Sequence, residues 1–513
     1  MRLAVVAGFV LIVAGVGHVH TGSVSAQSSC AQLASLSLPN TTITSVTTVP
    51  AGQWERVPGA RLERVPEFCR VQATLMPSPD SGIRIEVWLP TSNWNGRFQA
   101  AGTDGGINYA SATDAVQTPG SVEPASGMLR ALRRGFATGS NDNGETLADE
   151  AYRSVHEMTV KAKAIIRAFY GKAPAYSYFN GCSHGGGQGA MEAHRFPDDY
   201  DGIIIGCAGS GWSHGFSVRG LWLVSELIRN PEGAIPRALE PVIQDAVMRA
   251  CDAIDGLTDG LIDDPRRCKF DPGVLLCKTP EASQCLTSAQ VATVRRELSP
   301  ITNPRTGALI YPPREPGTPL GRSVPSQARV AAGQALSVGF FKLALNDPAW
   351  DWRTFDLDRD VAVIDRFITA NQTNALNPDV LAFAKGGGKM IIWQGWADGT
   401  NVPQSSINYY AGIRNLLGER AASNAVRLFM APGMGHCGYG YGPNTFDGIG
   451  VLMNWVEKGV APDRIDASYV ARENYGKEVS PSRTRPLCPY PQVARYTGTG
   501  SIDDAANFTC KAP

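Results

Sequence analysis

Residues 175–209 read AYSYFNGCSHGGGQGAMEAHRFPDDYDGIIIGCAG, and this stretch decides the fold. Its aromatic run, residues 176–179, reads as a buried strand. The chain then turns through Gly181-Cys182-Ser183-His184-Gly185 and enters a helix of small residues that ends near Arg195. A second apolar run, residues 203–205, reads as the next parallel strand. G-x-S-x-G between a strand and a helix is a nucleophile elbow, a turn so tight that glycines must flank the serine. Such a turn lifts the Ser183 hydroxyl out of the sheet. It also aims at that hydroxyl a helix N-terminus, where backbone N–H groups favour negative charge. A bare G-x-S-x-G arises often by chance as an ordinary glycine-rich turn; here the strand–turn–helix context favours the catalytic reading.

Working outward, residues 30 to about 100 read as strands. They end in the alternating run 84–89 and in residues 97–100, before the turn Gly102-Thr103-Asp104-Gly105-Gly106. A helix near 125–134, a strand at 135–138 and a helix over roughly 149–170 lead back to the elbow, the last with apolar residues at helical spacing. Strands alternating with helices predict a mostly parallel α/β sheet. From 210 to 387 the strand signal is weak, Pro and Gly are abundant, and helical pieces fall at 241–253 and 327–344. This predicts an insertion, residues 210–387, lying as a lid over a core built from residues 27–209 and 388–513. The α/β pattern returns in strands at 390–393 and 426–430, followed by a helix over 446–458. The tail from Asp463 reads as Pro-rich loop.

The chain has 513 residues, and Lys plus Arg equal Asp plus Glu at 47 each, so no net charge or basic stripe suits nucleic acid. The first 26 residues carry one basic residue, Arg2, then an apolar run over 3–16, then Val24 and Ala26 at the small positions before a cut. This predicts a secretory leader cleaved after Ala26, too short to anchor the chain, and hence a secreted or periplasmic protein with no membrane attachment. Eleven cysteines in an exported chain predict a disulfide framework with one thiol left over. Local spacing suggests Cys251 with Cys268, Cys277 with Cys285, and Cys488 with Cys510, while Cys30 and Cys69 could staple the N-terminal segment. Cys207, inside the apolar strand IIIGCAG, is the candidate free thiol.

A nucleophilic serine needs a base, and the base needs an orienting acid. Asp398 follows the strand at 390–393, where the acid of such a triad belongs, and His436 follows the strand at 426–430, where the base belongs. Cys182 directly precedes Ser183, and Cys437 directly follows His436. A bridge between them would clamp nucleophile to base. Acyl transfer also needs N–H donors for the developing oxyanion: the backbone of His184 is one, and Gly102 or Thr103 supplies the other. Between Cys251 and Cys268, Asp252, Asp255 and Asp259 recur three and four apart with glycines between them. Oxygen ligands on a flexible loop suit a structural Ca²⁺, although the EF-hand pattern is absent.

Taken together these residues resemble the tannase/feruloyl esterase family of secreted serine esterases, which includes hydrolases of mono(2-hydroxyethyl) terephthalate. The motifs are GCSHGGGQ at 181–188, GWADGTNVP at 395–403, GMGHCG at 433–438, CDAIDGLTDGLIDD at 251–264 and PLCPYPQVARY at 486–496. The resemblance implies an α/β-hydrolase core with a lid, the triad Ser183, Asp398 and His436, and the bridge Cys182–Cys437. It implies Ca²⁺ on the side chains of Asp252, Asp255 and Asp259 and the carbonyls of Leu257 and Leu261, with no organic cofactor. It pairs the remaining cysteines as above and leaves Cys207 free. The substrate it implies is a small aromatic ester: feruloyl first, with galloyl esters and terephthalate monoesters as alternatives. An inactive binding protein on the same scaffold and a peptidase are readings from other classes. Asn401 stands where the terephthalate enzymes look aromatic, and many relatives carry Thr or Glu where this chain has His184. Trp350, Trp352 and Arg353 are either lid contacts with substrate or core packing.

Overall fold

The computed structural model describes residues 29–53, 65–103, 127–209, 214–279, 284–320, 336–471 and 480–513. The expected leader, residues 104–106 of the glycine turn and the start of the expected helix at 327–344 lie outside the described residues.

Among the described residues, nine strands form one sheet. They are β1 (Thr41–Val49), β2 (Phe68–Leu75), β3 (Ile83–Pro90), β4 (Arg97–Ala101), β5 (Ala137–Asn141), β6 (Tyr176–Cys182), β7 (Gly202–Gly206), β8 (Lys389–Gly395) and β9 (Val426–Ala431). Their order across the sheet is β1-β2-β3-β5-β4-β6-β7-β8-β9. Pairing is antiparallel from β1 through β3 to β5 and parallel from β5 to β9. The mostly parallel α/β sheet is therefore present, with an antiparallel extension at its N-terminal edge. Burial explains the difference. β7 is buried along its whole length, as a strand covered on both faces must be, whereas β1 is half-exposed.

The covering helices are α1 (Met128–Arg133), α2 (Ser154–Tyr170), α3 (His184–Arg195), α4 (Arg219–Arg229), α5 (Glu240–Cys251), α6 (Ser288–Glu297), α7 (Leu336–Ala344), α8 (Arg359–Asn371), α9 (Leu381–Lys385), α10 (Pro403–Leu417), α11 (Glu419–Ala425) and α12 (Gly448–Lys458). Successive strand residues point to opposite faces. Ile203, Ile205, Met390 and Ile392 pack under α2, α3, α9 and α10, while Ile204, Ile391 and Trp393 meet α1 and α12. The strand expected at 135–138 begins two residues later, because Gly135 takes a left-handed φ of 79° that ends the preceding turn.

Among the described residues, the chain between β7 and β8 adds no strand to this sheet. It packs cores of its own, the largest around α4, α7 and α8. Trp350 stacks on Phe341 with ring centroids 5.1 Å apart, and Trp352 is buried in the same cluster. The Arg353 guanidinium lies over the Trp352 ring and pairs with Asp351 at the surface. The two tryptophans are therefore packed in a core, while Arg353 is at the surface.

The tail is not the loop expected. Ile465–Ser468 pairs with Thr484–Leu487, and Val493–Tyr496 with Phe508–Lys511, both antiparallel. Four-residue strands, one containing Pro486, are too short to show alternation in the sequence.

α3 lies against β7 at backbone distance, since a Cβ on Gly186 would stand 2.5 Å from the Gly206 carbonyl oxygen. Both sides of that contact are backbone and cannot rotate away. Gly186→Ala should destabilise the protein by about 1–3 kcal/mol, read as a lowered midpoint of thermal unfolding.

Candidate active site

β6 delivers Ser183 at its end in a conformation that side chains rarely adopt, with φ 60° and ψ −120°. The surroundings hold it there. Its N–H donates to Gly206 O at 2.9 Å, and its carbonyl accepts from the N–H groups of Gly187 and Gly209, each at 3.1 Å. The turn closes only because its flanks lack side chains. A Cβ on Gly181 would lie 2.2 Å from Gly185 O, and one on Gly102 would lie 2.8 Å from the Gly185 Cα.

Asp398 follows β8 and is fully buried. Its Oδ1 accepts the N–H groups of Thr400 at 2.8 Å and Asn401 at 3.0 Å, and its Oδ2 accepts Gln394 Nε2 at 3.0 Å. Gln394 is fixed in turn by the Ser406 hydroxyl, 2.9 Å away. The remaining partner of Oδ2 is His436 Nδ1, at 2.8 Å. Burial alone would raise this carboxyl. The charge of His436, its hydrogen bond and the two N–H groups outweigh that and hold Asp398 below the usual carboxylate range. An acceptor at Nδ1 sets the tautomer with the proton there, which leaves Nε2 as the basic nitrogen.

His436 reaches this position on the loop after β9, and its side chain is 24% exposed. Cys182 and Cys437 are bonded to each other with Cα atoms 5.9 Å apart. The residues flanking Ser183 and His436 are thus covalently joined. The other bridges are Cys30–Cys69, Cys251–Cys268, Cys277–Cys285 and Cys488–Cys510, and Cys207 is free and buried.

The expected oxyanion donors of the glycine turn have partners within the protein. The Gly102 N–H donates to Asn180 O at 2.9 Å, continuing the sheet, and the Thr103 N–H donates to Gln188 Oε1 at 3.0 Å. Both are engaged within the protein in this conformation. Thr103 is held by a side chain rather than by a strand, so only its N–H can be released by a rotamer change. His184, the first residue of α3, encloses its ring Nε2 without a hydrogen-bond partner, and burial pushes the imidazole down to about 4. Its ring is neutral at ordinary pH.

Three residues that no motif singles out support the acid loop. Arg219 and Arg314, from the segment between β7 and β8, each donate to the carbonyl of Gly399 at 3.2 Å. They share one carboxylate, Glu297, at 3.4 and 3.2 Å. All three side chains are buried, and burial lowers Arg314 to about 10, against the pull of Glu297. Asn401 is structural as well: its side-chain amide donates to Cys207 O at 2.8 Å, so it holds the acid loop to the end of β7.

In the acidic loop each carboxylate is turned onto backbone N–H groups: Asp252 onto Asp259 and Gly260, Asp255 onto Leu257 and Asp263, Asp259 onto Leu261. The three do not converge on a common point as tightly as Cys207, Asp398 and His436 do. The donor set is nonetheless all oxygen. Burial, then Asp255, pushes Asp263 up to about 7. That chemistry fits a hard cation. The tail grips this loop, with Arg485 paired to Asp259 and Arg495 donating to Asp255 O at 3.0 Å.

An elbow serine at the carboxyl end of a parallel sheet, with an acid–histidine pair on later loops, defines the class of α/β hydrolases. The family described as tannase and feruloyl esterase matches residues 69–511, and the chain belongs to it. It is 36% identical to an uncharacterised esterase of Xanthomonas campestris, over 95% of this chain and 92% of that one. It is 30% identical to the mono(2-hydroxyethyl) terephthalate hydrolase of Piscinibacter sakaiensis, over 88% and 85%. The solved structure of feruloyl esterase B from Aspergillus oryzae superposes with a TM-score of 0.78 at 27% identity, covering 94% of this chain and all 100% of that one. The protein is a carboxylic ester hydrolase. Five disulfides accord with an oxidising compartment, and no helix of the described residues is long and apolar enough to cross a membrane.

Glu297→Gln would leave two buried guanidinium groups on one carbonyl with no counter-charge. The loss should be about 3–5 kcal/mol, measured by urea unfolding.

Proposed function

We propose that this chain is an exported serine esterase that cleaves esters of aromatic carboxylic acids, feruloyl (hydroxycinnamoyl) esters first. The observation that carries the reading is the His436 Nδ1–Asp398 hydrogen bond set beside the Cys182–Cys437 bridge. His436 takes the Ser183 proton on Nε2 as the serine oxygen attacks the ester carbonyl. The tetrahedral oxyanion is met by the His184 backbone N–H at the start of α3, with Thr103 as the second donor once Gln188 turns away. His436 returns the proton to the leaving alcohol, and a water activated in the same way releases the acid. Asp398 keeps the imidazole in one tautomer and stabilises its charged form.

The segment between β7 and β8 serves as the lid in this reading. Its likeness to feruloyl esterase B extends over nearly the whole chain, which supports a hydroxycinnamoyl ester. A terephthalate monoester is the second reading, favoured by the relative of that name. Asn401 does not count against it through substrate contact, since its side chain is turned onto Cys207 O.

Asp252, Asp255 and Asp259, with the carbonyls of Leu257 and Leu261, would hold Ca²⁺. Bound there, the ion neutralises crowded carboxylates and plays no part in the chemistry. The first 26 residues are a leader removed during export.

Two measurements test this. Methyl ferulate, methyl gallate, mono(2-hydroxyethyl) terephthalate and p-nitrophenyl acetate are offered to the wild type and to Ser183→Ala. Methyl ferulate should be cleaved best, and the variant should lose at least about a thousandfold in kcat while melting as the wild type does; a fully active variant rules the mechanism out. Chelation should lower the melting temperature and calcium should restore it. A melt indifferent to both, in protein free of metal, removes the calcium site.

A further inference from the structure

We infer that Cys207 is a positioning residue for the Asp398–His436 pair, its thiol supplying the carboxylate with a further hydrogen-bond donor from beneath. The inference rests on the serine-esterase reading above. Cys207 follows β7 directly and takes a left-handed φ of 41°, a conformation costly for any residue with a Cβ. Two contacts hold the backbone there. Its N–H donates to Trp393 O at 2.9 Å, and its carbonyl accepts the Asn401 amide at 2.8 Å. One contact comes from β8 and the other from the acid loop, so the residue is built into the site rather than beside it.

The side chain is fully enclosed, and its sulfur, a carboxylate oxygen of Asp398 and a ring nitrogen of His436 all lie within 4.8 Å of one another. The sulfur thus lies beside the carboxylate, enclosed where the end of β8 and the loop of His436 meet. A thiol is among the few small side chains that can receive N–H groups and still donate a proton. Burial, then the Asp398 charge, pushes it well above the usual thiol range, so the proton stays on sulfur. A small apolar filler would occupy the same volume. It would leave the carboxylate one donor short.

Removing the donor has a defined sign. A carboxylate with fewer donors is more basic, so it stabilises the imidazolium more and His436 loses its proton at higher pH. Arg314 and Tyr311 also feel Asp398, and neither is altered by substituting Cys207.

The test is steady-state hydrolysis of p-nitrophenyl acetate across pH by the wild type, Cys207→Ala, Cys207→Ser and, in parallel, Ser183→Ala. Cys207→Ala should lower kcat about tenfold, the worth of one hydrogen bond to a charged group. KM should stay nearly unchanged, and the acid limb of kcat/KM should move to higher pH. Cys207→Ser, which keeps a donor, should restore both. Should Cys207→Ala fail to fold, Cys207→Gly relieves the left-handed backbone and takes its place with the same expectations. Wild-type kcat and acid limb in the donor-free variant overturn the inference. So do equal losses in the Ser and Ala variants with an unmoved acid limb, since that marks packing. Activity surviving in Ser183→Ala overturns the parent reading as well. A dead Ser183→Ala beside a wild-type Cys207→Ala overturns this inference alone.

Discussion

Everything at the carboxyl end of the sheet depends on three backbones meeting with no side chain between them. Gly102 at the end of β4, Gly181 on β6 and Gly185 on α3 approach so closely that a Cβ on any of them would strike main chain. That approach turns Ser183 out of the sheet in its left-handed conformation and places the start of α3 under its hydroxyl. The cost of such a conformation is of the order of 1–3 kcal/mol, and hydrogen bonds from Ser183 to Gly206 and to Ser183 from Gly187 and Gly209 hold it there. The strain is sustained by the same contacts that fix the geometry.

The acid loop is held by charge rather than by shape. Asp398 sits fully buried as an anion, which is tolerable because His436, Gln394 and two backbone N–H groups face it. One residue further on, the Gly399 carbonyl takes two buried guanidinium groups that arrive from outside the sheet. The segment between β7 and β8 is therefore tied into the acid's own loop. Its presence bears on the electrostatics of the histidine partner as well as on whatever it covers.

Much of this was legible in the chain. Alternate residues of β7 and β8 sort cleanly to opposite faces, so the runs at 203–205 and 390–393 announced a sheet covered on both sides. The elbow was legible because its glycines are demanded by contacts as short as 2.2 Å. Asp398 and His436 were legible by their order after successive strands. What stayed hidden depends on distance across the fold. Nothing around Arg219, Glu297 or Arg314 hints that two arginines nearly a hundred positions apart share one carbonyl and one carboxylate. Gly102 and Thr103 looked like free donors because a sequence does not reveal that Asn180 and Gln188 already hold their N–H groups. The four-residue strands of the tail fell below the length at which alternation can be seen.

The bridge between Cys182 and Cys437 spans 255 positions and makes that stretch a closed covalent ring. Asp398, the buried arginines, the acidic loop and the whole segment between β7 and β8 lie on the ring, with Ser183 and His436 beside its clasp. A single cut in any exposed loop of that ring opens it into a line without separating the two ends. A nicked molecule would still carry serine and histidine on one connected body.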